Sequence, residues 1–87
     1  MEYFVYIIQS LKDHTLYKGF SNDPYKRLIQ HNDGESRYTS GKVPWKLVYI
    51  EKCNNKTEAL KREKSLKKAN SNYIKWLIEQ PFNLLKN

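Results

Sequence analysis

The 87-residue sequence predicts an α+β fold: a small three-stranded antiparallel sheet flanked by helices, in the order β-β-α-β-α-α. Three observations point there. "YFVYII" (Tyr3–Ile8) is a β-branched and aromatic run of strand length, and "WKLVYIEK" (Trp45–Lys52) is a second. "SNDP" (Ser21–Pro24) is a helix start, with an acidic cap ahead of a proline. "KTEALKREKSLKK" (Lys56–Lys68) is a long charged segment of strong helix formers. No repeat, low-complexity tract or Pro/Gly-rich linker divides the chain, so residues 1–87 are expected to form one domain around a modest core.

The first strand is expected over Tyr3–Gln9, the polar "SLKD" (Ser10–Asp13) as a hairpin loop, and the second strand around Thr15–Phe20. A four-residue loop there pairs Gln9 with His14, which sets Tyr6 opposite Tyr17 and Phe4 opposite Gly19. Asp23 caps the first helix, Pro24 takes its first position, and Gly34 ends it. At 100° per residue, Tyr25, Leu28, Ile29 and Asn32 share one largely apolar stripe, while Arg27 and His31 project together from another face. A polar loop containing "RYTSGK" (Arg37–Lys42) leads through Pro44 to the third strand, Trp45–Lys52. The alternation of Trp45, Leu47 and Tyr49 with Lys46, Val48 and Ile50 suggests a strand largely covered on both faces. Asn55 and Glu58 form a capping-box pattern for a helix from Lys56 to about Lys68. A short amphipathic helix follows over Ser71–Gln80, stopped by Pro81.

Sixteen Lys/Arg against nine Asp/Glu give a formal charge of +7, a surplus that attracts a polyanion such as nucleic acid. Cys53 is the only cysteine, which excludes an internal disulfide and a cysteine-rich zinc site and suits a reduced, cytoplasmic setting. The longest apolar run is far too short to span a bilayer, so no membrane partner is expected.

Glu63 stands out. It lies four residues after Ala59, three after Leu60 and three before Leu66, and so points with the apolar side of its helix. An inward carboxylate is costly unless paired or bound to a metal. It can meet a Lys or Arg, sit at the stripe's edge in water, or hold a hard divalent cation whose other positions go to water and phosphate. Tyr6 and Tyr17 can likewise be a packed aromatic pair, and Arg27 a solvated helix residue. His31 has no neighbouring His or Cys for zinc. Two phenols, a guanidinium, an imidazole and an inward carboxylate together match what phosphodiester hydrolysis requires: a base for water, cationic donors for phosphate, and charge stabilisation of the leaving oxygen.

"VYI" (Val5–Ile7), "YKG" (Tyr17–Gly19), Arg27 and a helix bearing Glu63, in that order and spacing, resemble the GIY-YIG nuclease superfamily. "YKGFSNDPYKRLIQHN", "RYTSGKVPWKLVY" and "EALKREKSLK" are similar to its small stand-alone branch and the structure-specific nucleases related to it. The resemblance implies a divalent-metal-dependent endonuclease acting on DNA, with Tyr17 as general base or water-orienting group and Tyr6 hydrogen-bonding within the site. It implies Arg27 on the scissile phosphate, His31 in proton transfer or phosphate positioning, and Glu63 holding one Mg²⁺ or Mn²⁺. Phe20 stands where the excision-repair branch has a lysine, and no second DNA-binding domain is expected within these 87 residues, which leaves room for a protein partner that supplies specificity. The competing expectation is a non-catalytic nucleic-acid-binding module that retains the fold; such a module needs the basic surface but not the inward carboxylate.

Overall fold

The computed structural model describes residues 2–86. Strands β1 (Tyr3–Ser10), β2 (Leu16–Ser21) and β3 (Trp45–Cys53) form an antiparallel sheet in the order β2-β1-β3. Helices α1 (Pro24–Asn32), α2 (Arg37–Ser40), α3 (Lys56–Lys68) and α4 (Ser71–Ile78) surround it, and a 3₁₀ turn closes the chain at Leu84–Lys86. The α+β architecture is the one the sequence predicts, with a single-turn helix, α2, inside the expected polar loop. No helix among the described residues is long and apolar enough to cross a membrane.

Alternation along β1 divides the core. Val5 and Ile7 face α3 and α4, joining Tyr49, Cys53, Ala59, Leu66, Ile74 and Leu77. Tyr6 and Ile8 face the other way, toward Leu28 of α1, with Trp45 and Ile50 of β3. The central strand is therefore buried on both faces, as its continuous apolar run requires.

The hairpin register differs from expectation by two residues. Tyr6 lies opposite Gly19, Tyr17 opposite Ile8, and Phe4 opposite Ser21. The loop has the expected four residues but begins one residue later, because Ser10 stays in β1 and His14 turns with φ 66°. The buried Ser10 hydroxyl explains the extension. It donates to the Lys42 carbonyl at 2.6 Å and accepts from the Lys12 and Asp13 amides. A slip of two residues preserves side-chain facing, so Tyr6 and Tyr17 still share a face.

In β3 a bulge interrupts the ladder between Ile7 and Ile8 of its neighbour, where Ile7 pairs with Tyr49 and Ile8 with Leu47. The extra residue sends Trp45 and Leu47 to one face and Tyr49 to the other, correcting the simple alternation expected there.

Helix α1 is also turned. Asp23 caps it, accepting from the Lys26 amide at 3.1 Å, and Gly34 follows it at φ 78°, as expected. Yet Tyr25 and Ile29 are 60% and 61% exposed, while Pro24 and His31 are buried. The inward face is rotated by roughly 90° from the apolar stripe, on a helix of 3.6 residues per turn. Helix α3 meets expectation in its bounds and in its Asn55 cap, which accepts from the Glu58 amide. Ala59, Glu63 and Leu66 face inward, whereas Leu60 is exposed.

Candidate active site

The turn of α1 brings its polar residues onto the sheet. His31 is fully buried, with both ring nitrogens engaged: Nε2 meets the Tyr6 hydroxyl at 2.9 Å and Nδ1 the Thr39 hydroxyl at 2.8 Å. The donors and acceptors present fix the proton directions. The Tyr6 hydroxyl is closed off from solvent, and the Arg27 guanidinium beside it carries donors only. Its hydrogen therefore goes to the His31 Nε2 lone pair. That places the ring proton on Nδ1, which donates to Thr39 Oγ1, and the Thr39 hydroxyl points on to the Ser36 carbonyl at 3.4 Å. Burial, helped by the nearby Arg27 charge, pushes the His31 pKa down to about 4, so the ring is neutral near pH 7. Burial also raises the Tyr6 pKa. Arg27 opposes that rise, while Tyr17 and Glu63 add to it. Tyr6 is a neutral donor.

Gly19 makes this arrangement possible. A Cβ built there would lie 2.6 Å from the Tyr6 hydroxyl oxygen, so the ring can cross β2 only where the opposed residue has no side chain.

Tyr17 is half-buried on the same face. Its ring meets His31 edge-on at 5.1 Å between centroids and also contacts Tyr38 at 5.7 Å and Trp45 at 6.4 Å. Arg27 is held by its neighbour: its Nη1 donates to the Gln30 side chain at 2.5 Å. Asn32 clamps the start of β3, donating to the Trp45 carbonyl and accepting its amide. The Trp45 indole N–H in turn donates to the Thr39 carbonyl at 2.9 Å, fixing α2 beneath His31.

Glu63 arrives from the opposite face of the sheet, on α3. Its carboxylate is nearly buried and pairs with Lys67 one turn later, at 3.7 Å. Lys67 shares a surface cavity of about 470 Å³ with Leu16, Tyr17, Lys18 and Tyr38, at the free edge of β2. The five residues singled out from the sequence thus fall into one group of four (Tyr6, Tyr17, Arg27, His31) and a carboxylate whose charge acts on Tyr6. Thr39, Tyr38, Lys67 and Gly19 complete the surroundings. Gly19 is the last letter of "YKG", and Tyr38, Thr39 and Lys67 lie in the segments "RYTSGKVPWKLVY" and "EALKREKSLK", though the sequence assigned none of the four a role.

A neutral histidine hydrogen-bonded to a phenol, with a guanidinium, a second tyrosine and a carboxylate close by, gathers titratable and cationic groups in one region of the fold. Similarity to known proteins identifies the family. Residues 2–75 match the model of the GIY-YIG catalytic domain, and the chain belongs to that family. It is 46% identical to a UPF0213 protein of Clostridium perfringens over 76 residues, covering 86% of this chain and 81% of that one. A UPF0213 protein of Staphylococcus saprophyticus is 43% identical over 67 residues, covering 76% and 80%. The solution NMR structure of a UPF0213 protein from Bacillus halodurans superposes with a TM-score of 0.61 at 28% identity, over 99% of this chain and 92% of that one. The GIY-YIG domain is a nuclease domain, which makes nucleic acid the expected substrate.

GIY-YIG nucleases generally use a divalent metal. Among the described residues no cluster of three or more His, Cys, Asp and Glu is placed to hold one. A hard cation that keeps most of its waters needs only one or two carboxylates, so Glu63 alone fits that donor set.

Proposed function

We propose that this chain is a divalent-metal-dependent endonuclease that hydrolyses DNA phosphodiester bonds, acting on branched or otherwise irregular structures in repair or recombination. The observation that carries this reading is the buried Tyr6–His31 hydrogen bond, with Arg27 beside the phenol and Tyr17 against the imidazole. A core tyrosine needs one hydrogen-bond partner. It does not need a buried histidine whose second nitrogen is also fixed, next to a guanidinium.

Tyr17 takes or orients the proton of the attacking water. Arg27 donates to the non-bridging oxygens of the scissile phosphate, where negative charge grows in the transition state. Tyr6 and His31 hold the polar face of α1 in register with the sheet, so Arg27 is positioned before substrate arrives. Glu63 would hold one Mg²⁺ or Mn²⁺, which supplies charge stabilisation at the leaving oxygen when bound.

A second reading, a nucleic-acid-binding module without catalysis, is favoured by the Lys67–Glu63 ion pair, which already answers the carboxylate's charge. Incubation with flap, branched and single-stranded DNA separates the two. Cleavage that depends on Mn²⁺ and disappears in Glu63→Gln is expected. Binding without cleavage of every substrate, with either ion, would leave the binding module.

A further inference from the structure

Tyr38 is a large aromatic residue beside Tyr17, yet it is 64% exposed. Its ring lies 5.7 Å from that of Tyr17 between centroids, with planes inclined by 37°, and Tyr38 lines the 470 Å³ cavity. Leu16 supplies a second apolar surface there, and Lys18 and Lys67, the latter partly neutralised by Glu63, bring ammonium groups to the same opening. The volume lies within the range of small-molecule sites, about 300–1,000 Å³. We propose that this cavity is a subsite for one unpaired nucleobase of the substrate, stacked on Tyr38, with Lys18 and Lys67 on the adjoining phosphates. The proposal rests on the nucleic-acid reading above and narrows its substrate class.

The chemistry selects this occupant. An aromatic face with flanking lysines is the combination that holds single-stranded nucleic acid, since every base has a π-face and every nucleotide a charge. Bases within a continuous duplex have both faces covered by neighbours and cannot reach Tyr38 without leaving the stack. A base at a flap, gap or junction is already free. Tyr38 thus converts a sequence-neutral contact into a preference for irregular structure. The backbone beside it is braced, because the adjacent Thr39 is fixed through its hydroxyl to His31 and through its carbonyl to Trp45. The platform is tied to the same buried group that ties down Tyr6.

Binding measured in EDTA tests the proposal without depending on cleavage, and so survives failure of the enzymatic reading. Two DNA duplexes of equal length are compared, one continuous and one carrying a single unpaired 2-aminopurine at a strand junction. With wild-type protein, 2-aminopurine fluorescence should be quenched on binding. Replacing that base with an abasic unit should weaken binding by about 5- to 150-fold, the loss expected for one stacked base. Tyr38→Ala should lose the same factor on the junction DNA and less than about twofold on the continuous duplex. Tyr38→Phe should behave as wild type. The abasic substrate requires no mutation, so an unstable variant leaves the result intact. Unchanged affinity for the abasic DNA, or equal losses on both DNAs for Tyr38→Ala, would overturn the proposal.

Discussion

Tyr6 and Tyr17 sit on one face of the sheet, but their surroundings assign them different work. Tyr6 is buried, protonated and committed to His31, whereas Tyr17 is half-buried, with its ring held by three aromatic neighbours. If Tyr17 handles the water proton, Tyr17→Phe should slow cleavage by about 100- to 10,000-fold with DNA binding retained. Tyr6→Phe should cost less. Equal rates for wild type and Tyr17→Phe would remove the base assignment. His31 has a separate signature in stability. Its folded pKa of about 4 lies below the ordinary 6.5, so between those values the unfolded chain binds a proton that the folded one excludes. Stability should therefore be full above pH 6.5 and fall as the pH drops toward 4, by on the order of 1–3 kcal/mol. Urea titrations at pH 7 and 4.5 measure this, and His31→Gln should flatten the dependence within that window. Glu63 is legible from its spacing alone because a charge on an apolar stripe is a local contradiction. Thr39 and Tyr38 are not, since their partners lie on α1 and β2 and nothing near them in sequence shows this.

At the scale of elements, the sequence marks helix ends and strand runs well and relative rotations poorly. Asp23 and Asn55 each accept the amide bond their cap position predicts, and Asn70 caps α4 in the same way without having been singled out. The facing of α1 escapes the sequence because hydrophobicity alone is a poor guide to burial there. The helix buries a histidine whose polar atoms are all satisfied, which removes the cost of burial. The β3 bulge and the Ser10-braced loop depend on an extra backbone residue and on one side-chain hydroxyl, neither of which periodicity records. One further connection is invisible in the sequence. Glu51 of β3 receives Arg62 of α3 through Nε at 3.1 Å and Nη2 at 3.2 Å, and the Tyr49 hydroxyl at 2.5 Å. This network lies on the face away from Tyr6 and joins helix to sheet. Glu51→Ala strands a half-buried guanidinium and a phenol, and should destabilise by about 1–3 kcal/mol. Urea midpoints should shift without a change in slope. A loss below a few tenths of a kcal/mol would mean that water replaces the carboxylate without penalty.

Across the whole molecule, the charge of +7 is not spread evenly, and α3 carries six basic residues. Five of them (Lys56, Lys61, Lys64, Lys67 and Lys68) are exposed, while Arg62 is turned inward to Glu51. Lys67 stands at the β2-edge cavity and is partly neutralised by Glu63. Phosphates that meet such a surface release counterions, so DNA affinity should fall linearly on logarithmic axes as salt rises. If three to five lysines take part, the slope is about −2.7 to −4.5, at roughly −0.9 per phosphate neutralised. Glu63→Gln then tests how α3 divides its charge. Removing the carboxylate frees Lys67 for a phosphate and takes a repulsive charge from the site. Metal-free binding should thus stay equal or tighten, and the slope should steepen by up to about one unit. Filter binding or anisotropy at several salt concentrations reads both quantities. A folded Glu63→Gln protein that binds DNA more weakly without metal would show that the carboxylate itself organises the binding surface, and Glu63 would cease to be a candidate for metal binding alone.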